Sequence, residues 1–301
     1  MIDTSTTPGP LKVLRGPGRV LSELGRQALF YAKAIGYLHL AVTRYRREII
    51  RLIAEMSLGT GALAVIGGTL VVTAFLTFSV GGIIGVQGYN NLKDIGVQVL
   101  SGFFAAFVEI RISGPTIAGF GLVATIGAGA TAQIGAMRIS EEIDALEVMS
   151  VRSLPFLVTT RLVAGFIVTI PLYAAAIMVA FFASKLVVVY LYGQSAGAYD
   201  HYFSTFLIRT DILNSFGLAL AISTIVMLIH CYYGYTASGG PAGVGMAVGR
   251  AIRPSATSYS PFLSFSLYSF SPRPMSMIWI PAAAALSAMA RWWIRPGEYL
   301  A

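Results

Sequence analysis

Residues 112–137 read ISGPTIAGFGLVATIGAGATAQIGAM and contain no charged side chain. A helix needs about 20 apolar residues to cross the hydrocarbon core of a bilayer, so this stretch predicts a transmembrane helix. Its small residues let helix backbones approach closely, which is how helices pack inside a membrane. We therefore expect this span to face protein and not lipid. The residues predicted to pack against other helices are Gly114, Pro115, Gly127, Gly129 and Gly135.

The composition of the whole chain points the same way. Of 301 residues, 56% are hydrophobic and 11% are charged, against about 25% charged in a typical soluble domain. Mean hydropathy is +0.73. This length leaves room for roughly five or six spans and for no sizeable soluble domain. The net charge of +8 is concentrated near the start of the chain and in short loops, which indicates membrane topology and not a nucleic-acid partner.

The apolar runs give the expected order of spans. We place the first at 59–80, with a bend or re-entrant piece at 81–92 where paired glycines permit a break. Runs 95–108 and 275–290 are apolar but short, and Pro281 interrupts the second of them. The remaining predicted spans are 112–137, 162–184 and 212–233.

The first 53 residues divide into two parts. Residues 1–19 are rich in Thr, Pro and Gly and predict a disordered leader. Residues 20–53 mix basic with aromatic and aliphatic side chains, a pattern typical of helices lying on an anionic membrane surface. The density of Lys and Arg places this end in the cytoplasm. The fold class expected is therefore an all-α integral membrane protein with an N-terminal interfacial helix and about five spans.

A charged segment, 137–149, follows the longest small-residue run and holds four of the chain's 13 carboxylates. Ile139, Ile143, Leu146 and Met149 recur at steps that put them on one stripe of a helix. Charges are costly in hydrocarbon, so this helix must project into water between the second and third spans. It is either a docking surface or a plain connecting helix. The positive-inside pattern of the other loops places it in the cytoplasm.

A few polar residues in apolar surroundings are candidates for chemistry. Glu109 and Arg111 are either paired at a membrane-buried site, on a substrate path, or simply mark the outer interface. His230 and Cys231 are adjacent, but further ligands are lacking nearby, so we expect packing and no metal site. A single cysteine also excludes an internal disulfide.

Four short motifs stand out in the chain: GATAQIGAMR at 129–138, EEIDALEVM at 141–149, GP at 114–115 and GGPAGVG at 239–245. Together they resemble the motifs of the MlaE/YrbE permease family. The segments YF at 202–203 and CYYGY at 231–235 are more similar to the actinobacterial YrbE subunits that partner Mce proteins. The resemblance covers about 20–253, which we take as the permease domain.

This resemblance implies a subunit of a lipid-transporting ABC system in the inner (plasma) membrane, with its N-terminus in the cytoplasm. The implied partners are a cytoplasmic ATPase, a second YrbE-type permease, Mce lipid-carrying proteins and the lipid itself. The ATPase would dock on a cytoplasmic coupling helix. The residues that match this helix are Arg138, Ile139, Glu141, Glu142, Ile143, Asp144, Leu146 and Met149.

The permease itself is not expected to be an enzyme or to hold a cofactor. Its four lysines all lack a preceding glycine, so the chain has no phosphate-binding loop and ATP would bind to the partner subunit. The main rival function is a secondary transporter, for which Glu109, Arg111 and His230 are the available ionisable residues. An intramembrane enzyme is disfavoured because the sequence shows no set of His, Asp and Ser residues, or of metal ligands, that would form a catalytic site.

The sequence departs from the family pattern in two places. Ile112 occupies the position where Gram-negative relatives carry a glutamate, so substrate contacts cannot be transferred directly. Residues 254–274 hold seven serines and four prolines where an apolar fifth span is expected. Residues 254–301 are therefore an atypical C-terminal segment, produced either by a reading-frame shift or by divergence of a shortened span.

Overall fold

The computed structural model describes residues 10–58 and 68–259, together with positions 261 and 264. These residues are almost entirely helical, and four helical segments are long and apolar enough to cross a membrane. The prediction of an all-α integral membrane protein is therefore confirmed. The proposed fifth span, 275–290, lies outside the described residues, as do residues 1–9 of the predicted leader.

Among the described residues, three helices come before the first span. They are α1 (Pro10–Gly36), α2 (Leu38–Arg44) and α3 (Arg46–Leu58). Helix α1 begins ten residues before the predicted start of the folded chain at 20. Leu24, Leu29 and Ile35 are at least half exposed although they are apolar, as expected for helices that lie against a membrane surface.

In the described part of the chain the first span is α4 (Gly68–Asp94), which continues past residue 80, so the predicted end at 80 and the predicted break at 81–92 are wrong. The predicted start at 59 lies outside the described residues. The glycines that suggested a break lie inside one continuous helix. A Cβ atom on Gly81 would come within 2.5 Å of the backbone oxygen of Ala180, and one on Gly85 within 3.0 Å of that of Ser184. These glycines therefore permit close helix approach and do not produce a bend.

The second span is longer than predicted because residues 98–139 form one helical run. It comprises α5 (Ser101–Val108), α6 (Gly114–Leu122) and α7 (Ala128–Ile139), joined by π-helical turns at Glu109–Ser113 and Val123–Gly127. The predicted start at 112 is wrong, since Glu109 and Arg111 lie within the helix. The chain tolerates them there because Glu109 is buried and Arg111 is paired with an acidic residue.

A short helix, α8 (Glu142–Val148), connects the second and third spans. The third span, 154–191, contains α9 (Thr160–Leu186), which continues through Pro171. After α10 (Ala196–Phe206), the fourth span is α11 (Arg209–Tyr235), close to the predicted 212–233. Thus α8 and the start of the first span lie at one end of the bundle, here called the α8 end.

The glycine-rich segment after α11 forms a further helix. Gly239 and Gly240 adopt positive φ angles of 94° and 71°, which allows the chain to reverse. Helix α12 (Gly240–Thr257) then runs back along the second and fourth spans. Tyr259 donates a hydrogen bond of 2.8 Å to the carbonyl oxygen of Gly119. The predicted domain boundary at 253 therefore falls inside α12.

Candidate functional site

The α8 segment is not the single continuous helix that the periodicity predicted. Helix α7 ends at Ile139, and Glu141 adopts a positive φ of 59°, so the chain turns before α8 begins. Two side-chain contacts brace this turn. The guanidinium of Arg138 is 2.7 Å from Asp144 Oδ1, and the hydroxyl of Ser140 donates to Glu142 Oε1 at 2.9 Å.

The predicted apolar stripe is divided between the inside and the outside of the protein. Ile143 is fully buried, and Leu146 packs beside it in the core cluster at the α8 end. Ile139 is half-buried, whereas Met149 is 65% exposed and its neighbour Val148 is 86% exposed. The stripe therefore anchors α8 to its own chain through Ile143 and Leu146. Ile143, which is fully buried, cannot contact a partner while α8 is seated.

The outward face of α8 combines negative charge with apolar surface. Glu141, Glu142 and Asp144 are exposed beside Val148 and Met149. Such a face is suited to a partner groove with basic side chains around an apolar centre.

The segment after α8 is tied back to the fourth span. Ser150 has a positive φ of 60°, and Ser153 donates to Glu147 Oε1 at 2.6 Å. The same Ser153 hydroxyl lies 3.0 Å from the Tyr235 hydroxyl at the end of α11. A displacement of α8 would therefore be felt by the second, third and fourth spans.

Glu109 and Arg111 are not paired with each other. Arg111 forms a salt bridge to Asp211 of α11, with Nε 3.0 Å from Oδ2, and stacks 4.3 Å from the centre of the Phe107 ring. Glu109 is fully buried, and in the part of the chain that the structure describes neither of its carboxylate oxygens has a hydrogen-bond partner. Burial keeps the Glu109 carboxyl away from water, and its place on a substrate path stays a prediction.

The small residues of the second span differ in what surrounds them. A Cβ atom on Gly127 would lie 2.7 Å from the His230 ring, and one on Gly114 would lie 2.5 Å from the Glu109 carbonyl oxygen. Gly135 faces Val244 of α12 at 3.1 Å, and Pro115 is buried. Gly129 has no atom within 4 Å of an added Cβ. Its neighbourhood in the described chain is open space and not a helix contact.

His230 and Cys231 are both fully buried in α11. The Nδ1 atom of His230 lies 2.7 Å from the Thr131 hydroxyl, which links α11 to α7. Within residues 10–58 and 68–259, no group of three or more His, Cys, Asp or Glu side chains is arranged to hold a metal ion. Asp200 pairs with Lys185 at 2.8 Å, so its carboxylate is engaged away from the adjacent His201.

Sequence reasoning missed one polar cluster at the α8 end. The amide of Gln133 donates to Glu55 Oε1, and Arg161 Nη2 lies 3.4 Å from Gln133 Oε1. Arg161 is only 4% exposed and also donates to the Leu157 carbonyl oxygen at 3.0 Å. These residues come from α3, α7 and α9. Their separation in sequence leaves no local motif, and Glu55 shares its helix face with Arg51 and Glu48, so it does not stand out.

Comparison with known proteins now identifies the family. The family described as "Permease MlaE" matches residues 59–259, about two thirds of the chain. The chain belongs to the MlaE permease family. The matched range includes α8 and extends six residues past the predicted boundary at 253, in agreement with the continuation of α12.

Individual relatives of this MlaE family member come from distant organisms. A probable ABC transporter permease protein of Rickettsia bellii is 28% identical over 235 residues, 77% of this chain and 90% of the relative. The intermembrane phospholipid transport system permease protein MlaE of Haemophilus influenzae is 26% identical over 241 residues, again 77% and 90%. The chloroplastic protein TRIGALACTOSYLDIACYLGLYCEROL 1 of Arabidopsis thaliana is 25% identical over 167 residues, 56% of this chain.

Proposed function

We propose that this chain is the membrane permease subunit of an ABC-type lipid transporter and that its ATPase docks on α8. The observation that carries the proposal is the two-sided packing of α8. Ile143 fixes α8 to the spans, while the carboxylates of α8 and the side chain of Val148 face outward. A helix held in this way can receive a force from a partner and pass it to the second and third spans.

The remaining parts of the proposal concern topology and partners. The α8 end would lie in the cytoplasm because the basic N-terminal helices are at the same end. The membrane would be the inner (plasma) membrane. ATP would bind to the partner ATPase, since the sequence has no phosphate-binding loop. The resemblance of 202–203 and 231–235 to YrbE subunits supports a second YrbE-type permease and Mce lipid-carrying proteins as the further partners.

The mechanism follows from the connections of α8. Closure of the ATPase on ATP would displace α8, and the turn at Ser140–Glu141 would transmit the movement directly into α7. The Ser153 contacts with Glu147 and Tyr235 would carry it to α11. Where helices are in close contact, as Gly127 is with His230, there is little free space for a gradual movement. The spans would therefore switch between two discrete packing arrangements.

The test is copurification of the ATPase from mild detergent with the tagged full chain. Glu142→Lys reverses an exposed charge on α8, and we expect it to reduce the recovered ATPase about tenfold, the effect of placing like charges in a polar interface. The matched control is Glu23→Lys, an exposed charge reversal on α1. Equal ATPase recovery with both variants would refute docking on α8.

The buried carboxyl of Glu109 favours a second candidate function, ion-coupled secondary transport. An ionisable group inside a membrane bundle is a common site of proton or ion coupling. Lipid movement in reconstituted vesicles separates the two functions. Transport that continues without ATPase but stops with a proton ionophore and in Glu109→Gln would support the second function. Transport that needs ATP and survives the ionophore would support the first.

A further inference from the structure

A cavity of about 600 Å³ lies at the α8 end between α3, the start of α4, the second span and α12. Its volume is within the range of about 300–1,000 Å³ that is usual for pockets holding a small-molecule ligand. The wall is mainly apolar and small, and part of it is the open surface at Gly129. Other lining residues are Leu52, Met56, Val72, Ala128 and Ala132.

The polar end of this cavity is formed by Glu55 and Gln133. Gln133 uses its amide nitrogen to bind Glu55 Oε1 and its oxygen to accept from Arg161. Arg161 therefore lies behind Gln133, and both Arg161 and Arg51 are within electrostatic reach of Glu55. Glu55 is nevertheless the one charged side chain in the described part of the cavity wall. Among the described residues, Glu55 Oε2 receives no hydrogen bond, so the cavity presents a carboxylate acceptor beside a long apolar wall.

This arrangement favours one kind of occupant. An apolar wall at membrane level suits an acyl chain or a ring system, since it removes apolar surface from water. A carboxylate at the end of the wall stabilises a donor, either an ammonium or a hydroxyl group, by a charge-assisted hydrogen bond. A headgroup that offers only negative oxygens would face repulsion from Glu55. The partner permease or residues 59–67 are other occupants, but neither explains why a carboxylate is turned into the cavity.

We propose that this cavity binds a lipid whose headgroup donates hydrogen bonds to Glu55 and whose apolar part lies along Ala128, Gly129 and Ala132. The site would select a hydrogen-bond-donating headgroup over a purely anionic one. The proposal rests on the lipid-transport function above and adds the class of headgroup and its recognising residue.

The experiment uses the full chain in phosphatidylcholine vesicles with three lipids that carry a photoreactive group on the acyl chain. Phosphatidylethanolamine supplies an ammonium group, diacylglycerol a hydroxyl group, and phosphatidic acid a predominantly anionic headgroup. After illumination, mass spectrometry quantifies the labelled peptides of α3 and α7. For the wild-type protein we expect at least one donor lipid to label these peptides about tenfold more than phosphatidic acid, the factor of one hydrogen bond to a charged acceptor.

Two variants and one control decide the outcome. Glu55→Gln should bring the donor lipids to within about twofold of phosphatidic acid, whereas Glu48→Gln, on the same helix and paired with Arg51, should leave the ratio unchanged. Gly129→Leu should abolish labelling by all three lipids, because it fills the open space without touching the charges.

Any of three results would overturn the proposal. They are equal labelling of the wild-type protein by all three lipids, the same ratio of donor-lipid to phosphatidic acid labelling in Glu55→Gln as in Glu48→Gln, and undiminished labelling in Gly129→Leu. A cross-link from this cavity to a protein partner in place of lipid would also overturn it. If Glu55→Gln fails to fold because Arg161 loses its counter-charge, the wild-type ratio of donor lipids to phosphatidic acid still tests the headgroup preference, and Gly129→Leu still tests the cavity. ATPase copurification with the same preparations tests the proposed function separately, since equal labelling of the wild-type protein by all three lipids with retained ATPase contradicts only the cavity proposal.

Discussion

Replacement of Ile143 by alanine tests whether α8 is held by its own chain. Ile143 is fully buried, and the substitution removes three carbons from its side chain. At about 0.8 kcal/mol per buried carbon this costs about 2.4 kcal/mol, and the cavity left behind raises the range to about 2–5 kcal/mol. Because α8 lies outside the spans, this loss should reduce the seated population of α8 without unfolding the bundle. A cost of about 2.4 kcal/mol corresponds to roughly a 50-fold change in that equilibrium.

The assay is amide hydrogen exchange followed by mass spectrometry in detergent. Ile143→Ala should accelerate exchange in 142–149 by about that factor while the spans keep their protection, and it should also reduce ATPase copurification. The matched control on the same helix is Val148→Ala, which is 86% exposed and should change stability by less than about 0.5 kcal/mol. Slow exchange in Ile143→Ala, or equally fast exchange in Val148→Ala, would refute the assignment of inner and outer faces.

Two further predictions concern contacts between spans. Gly127→Ala should destabilise the protein by about 1–3 kcal/mol because the new methyl group meets the His230 ring. Gly129→Ala, in open space, should be neutral or slightly stabilising, and thermal unfolding of both in detergent measures the difference, with equal midpoints arguing against the packing. Asp211→Ala should cost about 3 kcal/mol by leaving the largely buried Arg111 without its carboxylate. The double substitution with Arg111→Met should recover part of this loss, and a purely additive cycle would show that the ion pair is unimportant.

The sequence predicted helices where charge and length alone determine the outcome. The fourth span is the best case, since an uncharged run of the right length has few alternatives to crossing the membrane. The end of the first span was misplaced because glycine has two opposite uses in a helix. Gly81 is suited equally to a break and to close approach, and only the position of Ala180 on α9 distinguishes them.

The candidate site shows the same limit. Periodicity placed Ile143 and Met149 on one stripe, but a turn at Glu141 and the core cluster decide which of them is buried. Pairing of Arg111 with its neighbour Glu109 was one of two alternatives considered, yet the partner of Arg111, Asp211, lies 100 residues further along the chain. Pairings of this kind depend on how spans are arranged, and a single sequence does not contain that arrangement in a readable form.

The π-helical turns of the second span make its packing surface sensitive to the deletion of a single residue. Each holds one residue more than an α-helical turn would, so the side chains beyond it are rotated by about 100° relative to a regular helix. Deleting a single residue from Val123–Gly127 would leave a helix still long enough to cross the membrane. It would nevertheless turn the residues on one side of the deletion onto a different face, so that Gly127 no longer accommodates His230. Length variation by one residue is therefore more damaging in this span than many substitutions.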